Sequence, residues 1–417
     1  MNGYLVVILA ILLLSYLLDL VVAVLNLRSL SSELPAEFVG VYDAEHYARS
    51  QEYTWTTTGF SQIQATVSLI LTLIFILAGG FNLIDIVARD FGFSAIPTGL
   101  IFTGLLVLLS ALLNLPFSVY STFVIEQRFG FNTTTMATYI ADGLKAVLLA
   151  VVLGGPLLAG ILWFFETSGP LAWIYCWIAS VVFILVVQFL APVLIMPLFN
   201  KFLPLAEGEL KKAITDYAAG QNFSLQGIYT MDGSKRSTRA NAFFTGFGRF
   251  RRIVFFDTLM DTMSTGEIVA VLAHEMGHYK LKHIRSMMVF SVAQMGFMFF
   301  MLSFFLGNSE LFAAFGMENL SVYAGLIFFG FLYAPVSSLV AIGMNALSRR
   351  NEYQADRFAA QTGADSEALV SGLKKLSVSN LTNLTPHPCK VFLHYSHPPI
   401  LDRVAALSRV GAEGQTT

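Results

Sequence analysis

Charge is scarce in this sequence. Aspartate, glutamate, lysine and arginine together make up 12% of the 417 residues, whereas 55% are hydrophobic, a balance that excludes an ordinary soluble globular protein. Cysteine is nearly absent: Cys176 falls in an apolar run and Cys389 in a polar tail, which argues against a disulfide framework or a thiolate metal site. Excess positive charge is missing too, and a net charge of −2 leaves no electrostatic footprint for nucleic acid.

Long apolar runs are what the sequence has instead, with a mean hydropathy of +0.67. A helix crosses the hydrocarbon core with about 20 apolar residues. Seven stretches qualify, near 4–27, 63–88, 98–120, 143–165, 171–197, 284–306 and 321–347. The first has no basic leader and no convincing small-residue cleavage site, so it reads as a retained span and not a signal peptide. Lysine and arginine concentrate in 198–283 and after 348, while 166–170 and 307–320 carry none and 89–97 carries only Arg89. By the positive-inside rule the C-terminus lies in the cytosol and the N-terminus outside.

The predicted fold is a mainly α integral membrane protein with a split cytosolic α+β domain. Residues 1–197 hold five spans, 198–283 the first polar part, 284–347 two further spans and 348–417 the second polar part. Within the first polar part, 206–219 reads as an amphipathic helix stopped by Gly220, and 226–231 as a short strand. Segments 240–246 and 251–257 flank a Gly-containing connection, the pattern of a β-hairpin. Ser264 and Glu267 form a capping box that starts a helix.

That helix carries H-E-M-G-H from residue 274. Residues i and i+4 share a helix face, so His274 and His278 can reach one zinc ion, with Glu275 beside the first ligand as general base. A catalytic zinc keeps three protein ligands and an open position. Glu352 is the best third candidate. Asp356, four residues on, can accept the free ring N–H of a ligand histidine. The competing account pairs Glu352 and Asp356 with Arg349, Arg350 and Arg357 on a solvated helix. His283, His387 and His394 are rival ligands, although His283 sits off the face of 274 and 278. Such a set hydrolyses peptide bonds with water and no covalent intermediate. His397 and Arg403, in S-H-P-P-I-L-D-R, are candidate donors to a tetrahedral oxyanion.

Together, H-E-M-G-H, the downstream N-E-x-x-x-D, the N-A-F-F-T-G-F-G block ending at 248, the terminal H-P-P and E-x-R-F-G-F-N at 126–132 resemble the type I CAAX prenyl endopeptidases. The resemblance spans nearly the whole chain. It implies one zinc on His274, His278 and Glu352, Glu275 as base, Asp356 behind a ligand, and His397 and Arg403 at the oxyanion. It further implies that Asn241, Ala242, Phe243 and Phe244 form an edge strand to which substrate backbone adds, and that the seven helices enclose an intramembrane chamber. Peptide or protein substrates, with or without a prenyl group, and the lipid bilayer are the implied partners, with a monomer as the expected state.

The short loops and the G-A-E-G-Q-T-T ending, which is no retention signal, favour a bacterial inner membrane, or the endoplasmic reticulum if the source is eukaryotic. Two other functions compete: a membrane quality-control metalloprotease of the heat-shock type, and a seven-helix receptor or transporter with a structural zinc. The first has fewer spans, and the second needs a fourth protein ligand that the sequence does not supply. Asp19, Asp142 and Lys145 are expected either to line a polar interior or to pair internally. Pro156, Pro192, Pro197 and Pro335 are expected to kink or end helices.

Overall fold

Among the described residues, seven helices are long and apolar enough to cross a membrane: Gly3–Arg28, Ala44–Leu77, Ala95–Glu126, Met136–Thr167, Gly169–Phe199, His283–Ser303 and Val322–Gln361. The structure, a computed structural model, describes residues 2–245, 252–363 and 365–414, with side chains as far as 410. Polar side chains start several spans. Asn2 accepts from the Leu5 amide, Asp43 from His46 and Thr135 from Thr138, each satisfying an amide that the first helical turn leaves free.

The second span differs from expectation. It begins at Ala44 and ends at Leu77, and a separate helix, Gly80–Arg89, follows. Gly79 at φ +72° turns the chain there, in a conformation open to glycine; the apolar run at 63–88 is continuous in hydropathy but not in helix. Three of the four prolines act as expected. Pro192 lies in a widened π-turn, Ala191–Ile195, and Pro156 stands two residues past another, Ala150–Gly154, where a missing amide and a crowded carbonyl loosen the helical ladder; Pro197 stands two residues before the fifth span ends at Phe199. Pro335 sits inside the seventh helix without ending it.

The polar parts fold together around one small sheet. Strands β1 (Phe202–Pro204), β2 (Gly227–Met231), β3 (Ala242–Thr245) and β4 (Arg252–Phe256) lie in the order β1-β2-β4-β3. β2 and β4 are parallel and the outer pairings antiparallel. β3 and β4 pair as the hairpin pattern predicts, and the connection at 246–251 lies outside the described residues, as do the last three residues of the chain.

Helix Thr265–Lys280 is clamped between two apolar clusters. Ile268, Leu272 and Met276 pack on Ile253 and Phe255 of the sheet and on Ile214 of helix Glu209–Gly220. Ala270 and Ala273 face Ala359, Leu369 and Val404. The N-terminal capping box is formed as the sequence predicts. Gly277 brings this helix against the seventh: a Cβ there would lie 3.0 Å from the Ala355 Cα.

The signature at 126–132 ties the membrane half to the sheet. Arg239 Nη2 donates to Glu126 Oε2 at 3.0 Å, the Tyr53 hydroxyl donates to Glu126 Oε1 at 2.6 Å, and the Thr238 amide to the Phe131 carbonyl at 3.1 Å. Asp142 takes the internal-pair alternative, with Arg236 at 2.7 and 3.0 Å and Lys145 at 3.5 Å. Asp19 lies 3.4 Å from His394.

Candidate active site

The helix spacing of four residues puts His274 Nε2 and His278 Nε2 3.2 Å apart. The seventh helix runs unbroken past the span to Gln361, and its buried Glu352 faces both rings. Glu352 Oε2 lies 3.4 Å from His274 Nε2, and Oε1 lies 3.2 Å from His278 Nε2. These three residues offer ligand atoms within 4.8 Å of one another.

The donor set fits a metal. Among the described residues Glu352 Oε2 is buried without a hydrogen-bond partner, with Arg403 Nη1 3.4 Å away, a costly state for a carboxylate that a directly bound cation would relieve. Two imidazoles and a carboxylate are the ligand chemistry of catalytic zinc, and zinc bonds of about 2.0–2.1 Å put tetrahedral donor atoms about 3.3 Å apart. The two ring nitrogens, 3.2 Å apart, match that spacing, and each lies 3.2–3.4 Å from one or the other carboxylate oxygen of Glu352.

Each ligand is held from behind. His274 Nδ1 donates to Asp356 Oδ1 at 2.8 Å, one turn of helix from Glu352. Burial disfavours the charged His274 ring, yet hydrogen bonds that the ring donates to Asp356 and Glu352 outweigh it and lift its pKa to about 9: these carboxylates make the pocket strongly cation-stabilising. Arg403 is buried and grips Asp356 from the far side, Nη2 to Oδ1 at 2.6 Å and Nε to Oδ2 at 2.9 Å. Its Nη1 lies 3.4 Å from Glu352 Oε2.

His397 stands at the open mouth. Its side chain is 65% exposed, and Nε2 lies 3.4 Å from Glu352 Oε1. Glu275, partly buried, follows His274 on the same helix. β3 occupies an edge of the sheet, with Ala242 and Phe244 packed on the core that holds Leu272 and Met276; Asn241 precedes the strand. Arg349, the expected surface partner for the acids, instead donates to the carbonyls of Val391 and Tyr395.

Two features were not apparent from sequence. His283 Nδ1 lies 3.2 Å from His278 Nδ1. A mostly apolar cavity of about 400 Å³ reaches from His278 and Asn351 between the fifth, sixth and seventh spans, past Leu185 and Met288 to Met295.

Two family models cover the chain. Residues 23–201 match the CAAX prenyl protease N-terminal model with five membrane helices, and residues 204–410 match peptidase family M48. The five-helix match separates this chain from the heat-shock alternative. A CAAX prenyl protease 1 homolog of Oryza sativa is 36% identical, covering 97% of both chains. CAAX prenyl protease 1 of Saccharomyces cerevisiae is also 36% identical, over 91% of this chain and 89% of its own. The human homolog is 32% identical, over 90% and 89%. The crystal structure of S. mikatae Ste24p superposes with a TM-score of 0.93 at 33% identity, covering 98% of this chain and 99% of the other. Motif, membrane half and full-length relatives agree: the chain belongs to the CAAX prenyl protease 1 family of M48 membrane metallopeptidases.

Proposed function

We propose that this protein is a zinc-dependent membrane endopeptidase that cuts near the C-terminus of CAAX-ending, prenylated polypeptides. The observation that carries the reading is the convergence of His274, His278 and Glu352, with Glu275 adjacent on the same helix. One zinc per chain would be held by those three residues. When bound, zinc supplies Lewis acidity, polarising a carbonyl and letting water attack near neutral pH.

The protein's own groups do the rest. β3 offers its free edge to the substrate backbone, holding the scissile bond beside the HEMGH helix. Glu275 takes the proton of the attacking water and returns it to the leaving amine. His397, exposed at the mouth, donates to the tetrahedral oxygen. Arg403 acts through Asp356, to which it is bound on the buried side of the site. This role takes the place of the oxyanion contact expected from sequence, because its guanidinium faces Asp356 and Glu352. The apolar cavity beside His278 gives a hydrocarbon group room next to the site.

The chain works as a monomer with its protease half in the cytosol, and the short loops favour a bacterial inner membrane. The spans are read as enclosing a chamber, as in the family the chain resembles; the cavity between the fifth, sixth and seventh spans supports that reading. Cleavage of a farnesylated CAAX peptide and its unprenylated twin by the detergent-solubilised chain tests the reading. Removal of the last three residues, faster for the prenylated peptide, is expected. Equal cleavage of both would move the function to general membrane proteolysis, and cleavage of neither would sink the proposal.

A further inference from the structure

Hydrogen-bond polarity behind the metal site carries an inference that rests on the zinc reading above and goes beyond it. Helix Thr265–Lys280 is joined to the sixth span through Leu281 and Lys282, and Lys282, with a φ of +62°, is left-handed, a conformation that strains a side-chain-bearing residue and persists where the surroundings enforce it. The turn sets His283 at the start of the sixth span, buried, with Nδ1 3.2 Å from His278 Nδ1. The other ring nitrogen, Nε2, lies 2.8 Å from Oε1 of Gln354 on the seventh helix.

An amide oxygen only accepts. His283 therefore carries its proton on Nε2 and presents a bare Nδ1. A bare Nδ1 accepts the Nδ1–H of His278, and that proton placement leaves the His278 Nε2 lone pair facing Glu352 Oε1 and His274 Nε2, each at 3.2 Å. The reverse polarity would put a proton on His278 Nε2 and spoil it as a ligand. The two ligand histidines are thus oriented by different chemistry: His274 by the anionic Asp356, His278 by a neutral relay.

We propose that His283 and Gln354 form a positioning relay that fixes the tautomer and ring orientation of His278 for metal binding. Histidine ligands generally have their second nitrogen held in this way, and losing the outer partner weakens metal affinity about 10–100-fold. Gln354 is exposed, so its substitutions leave packing intact.

The test is chelator competition for zinc on the purified full-length chain, with the absorption spectrum of the cobalt-loaded protein as a second readout. His283→Leu is expected to weaken zinc about 10–100-fold and alter the cobalt bands. His283→Asn, whose Oδ1 can accept where Nδ1 did, restores most of the affinity. Gln354→Lys, which replaces an acceptor with a donor, weakens zinc, whereas Gln354→Glu does not. Wild-type affinity in both His283→Leu and Gln354→Lys would overturn the relay, and Gln354→Lys decides alone if the leucine variant misfolds. A wild-type chain that takes up no zinc would overturn the metal assignment itself, a separate and visible failure.

Discussion

Arg403 holds Asp356 with two hydrogen bonds, at 2.6 and 2.9 Å, and both side chains are buried. Asp356 in turn accepts from His274, so an arginine at the end of the chain sets the angle of the first candidate ligand. Removing one member of a buried pair leaves an uncompensated charge, a loss of about 3–5 kcal/mol. Arg403→Ala is therefore expected to lower the melting temperature sharply and to weaken zinc retention. An unchanged melting curve in detergent would show that the pair is not structural.

Gly277 sets the distance between the two helices that carry the ligands. A Cβ there would meet the Ala355 backbone at 3.0 Å from Cα and 3.2 Å from the carbonyl oxygen, atoms that cannot rotate away. Gly277→Val is expected to push Glu352 away from the histidines, destabilising the fold by about 1–3 kcal/mol and reducing zinc occupancy. Full zinc content by metal analysis in that variant would refute this tight-approach argument.

The capping-box Glu267 gives the fold an acid limit. Burial works against its ionised form, but hydrogen bonds from Lys375, Ser371 and Ser264 outweigh it and bring the pKa down to about 2 from an ordinary 4.5. A folded pKa below the unfolded one adds stability above about pH 4.5 that fades as pH falls toward 2. Wild-type protein should lose its advantage over Glu267→Gln between those values in melting experiments. A stability difference that does not vary with pH there would exclude the linkage.

The Glu126–Arg239 contact joins the membrane half to the segment that leads into β3, the strand proposed to pair with substrate. Arg239 also lies over the Phe131 ring at 4.1 Å. Its side chain is 38% exposed, so Arg239→Ala is expected to remove only about 1 kcal/mol. The local effect should exceed the global one, appearing as faster hydrogen exchange across 237–245. Unchanged exchange there would show that the clamp does not order β3.

Much of the candidate site's geometry was legible because its signals are local. The 274/278 spacing, the Ser264–Glu267 cap and the 352/356 spacing are all helix-period patterns, and each is present in the structure. The second span was misplaced because hydropathy does not register a glycine break at Gly79. Arg236 resembled a positive-inside residue, yet it pairs with Asp142, 94 residues away. His283 faced away from the ligand side of an ideal helix, and only the left-handed Lys282 brings it back to His278. Pairings across that distance and single backbone reversals leave no period in a sequence.

The most direct test of the central claim compares Glu275→Gln with Glu352→Gln, measuring zinc per chain and peptide cleavage in the same preparations. Glu275→Gln should keep one zinc and lose turnover by about 10²–10⁴-fold, whereas Glu352→Gln should lose the zinc as well. Undiminished cleavage by Glu275→Gln, or full zinc retention by Glu352→Gln, would contradict the assignment of base and ligand.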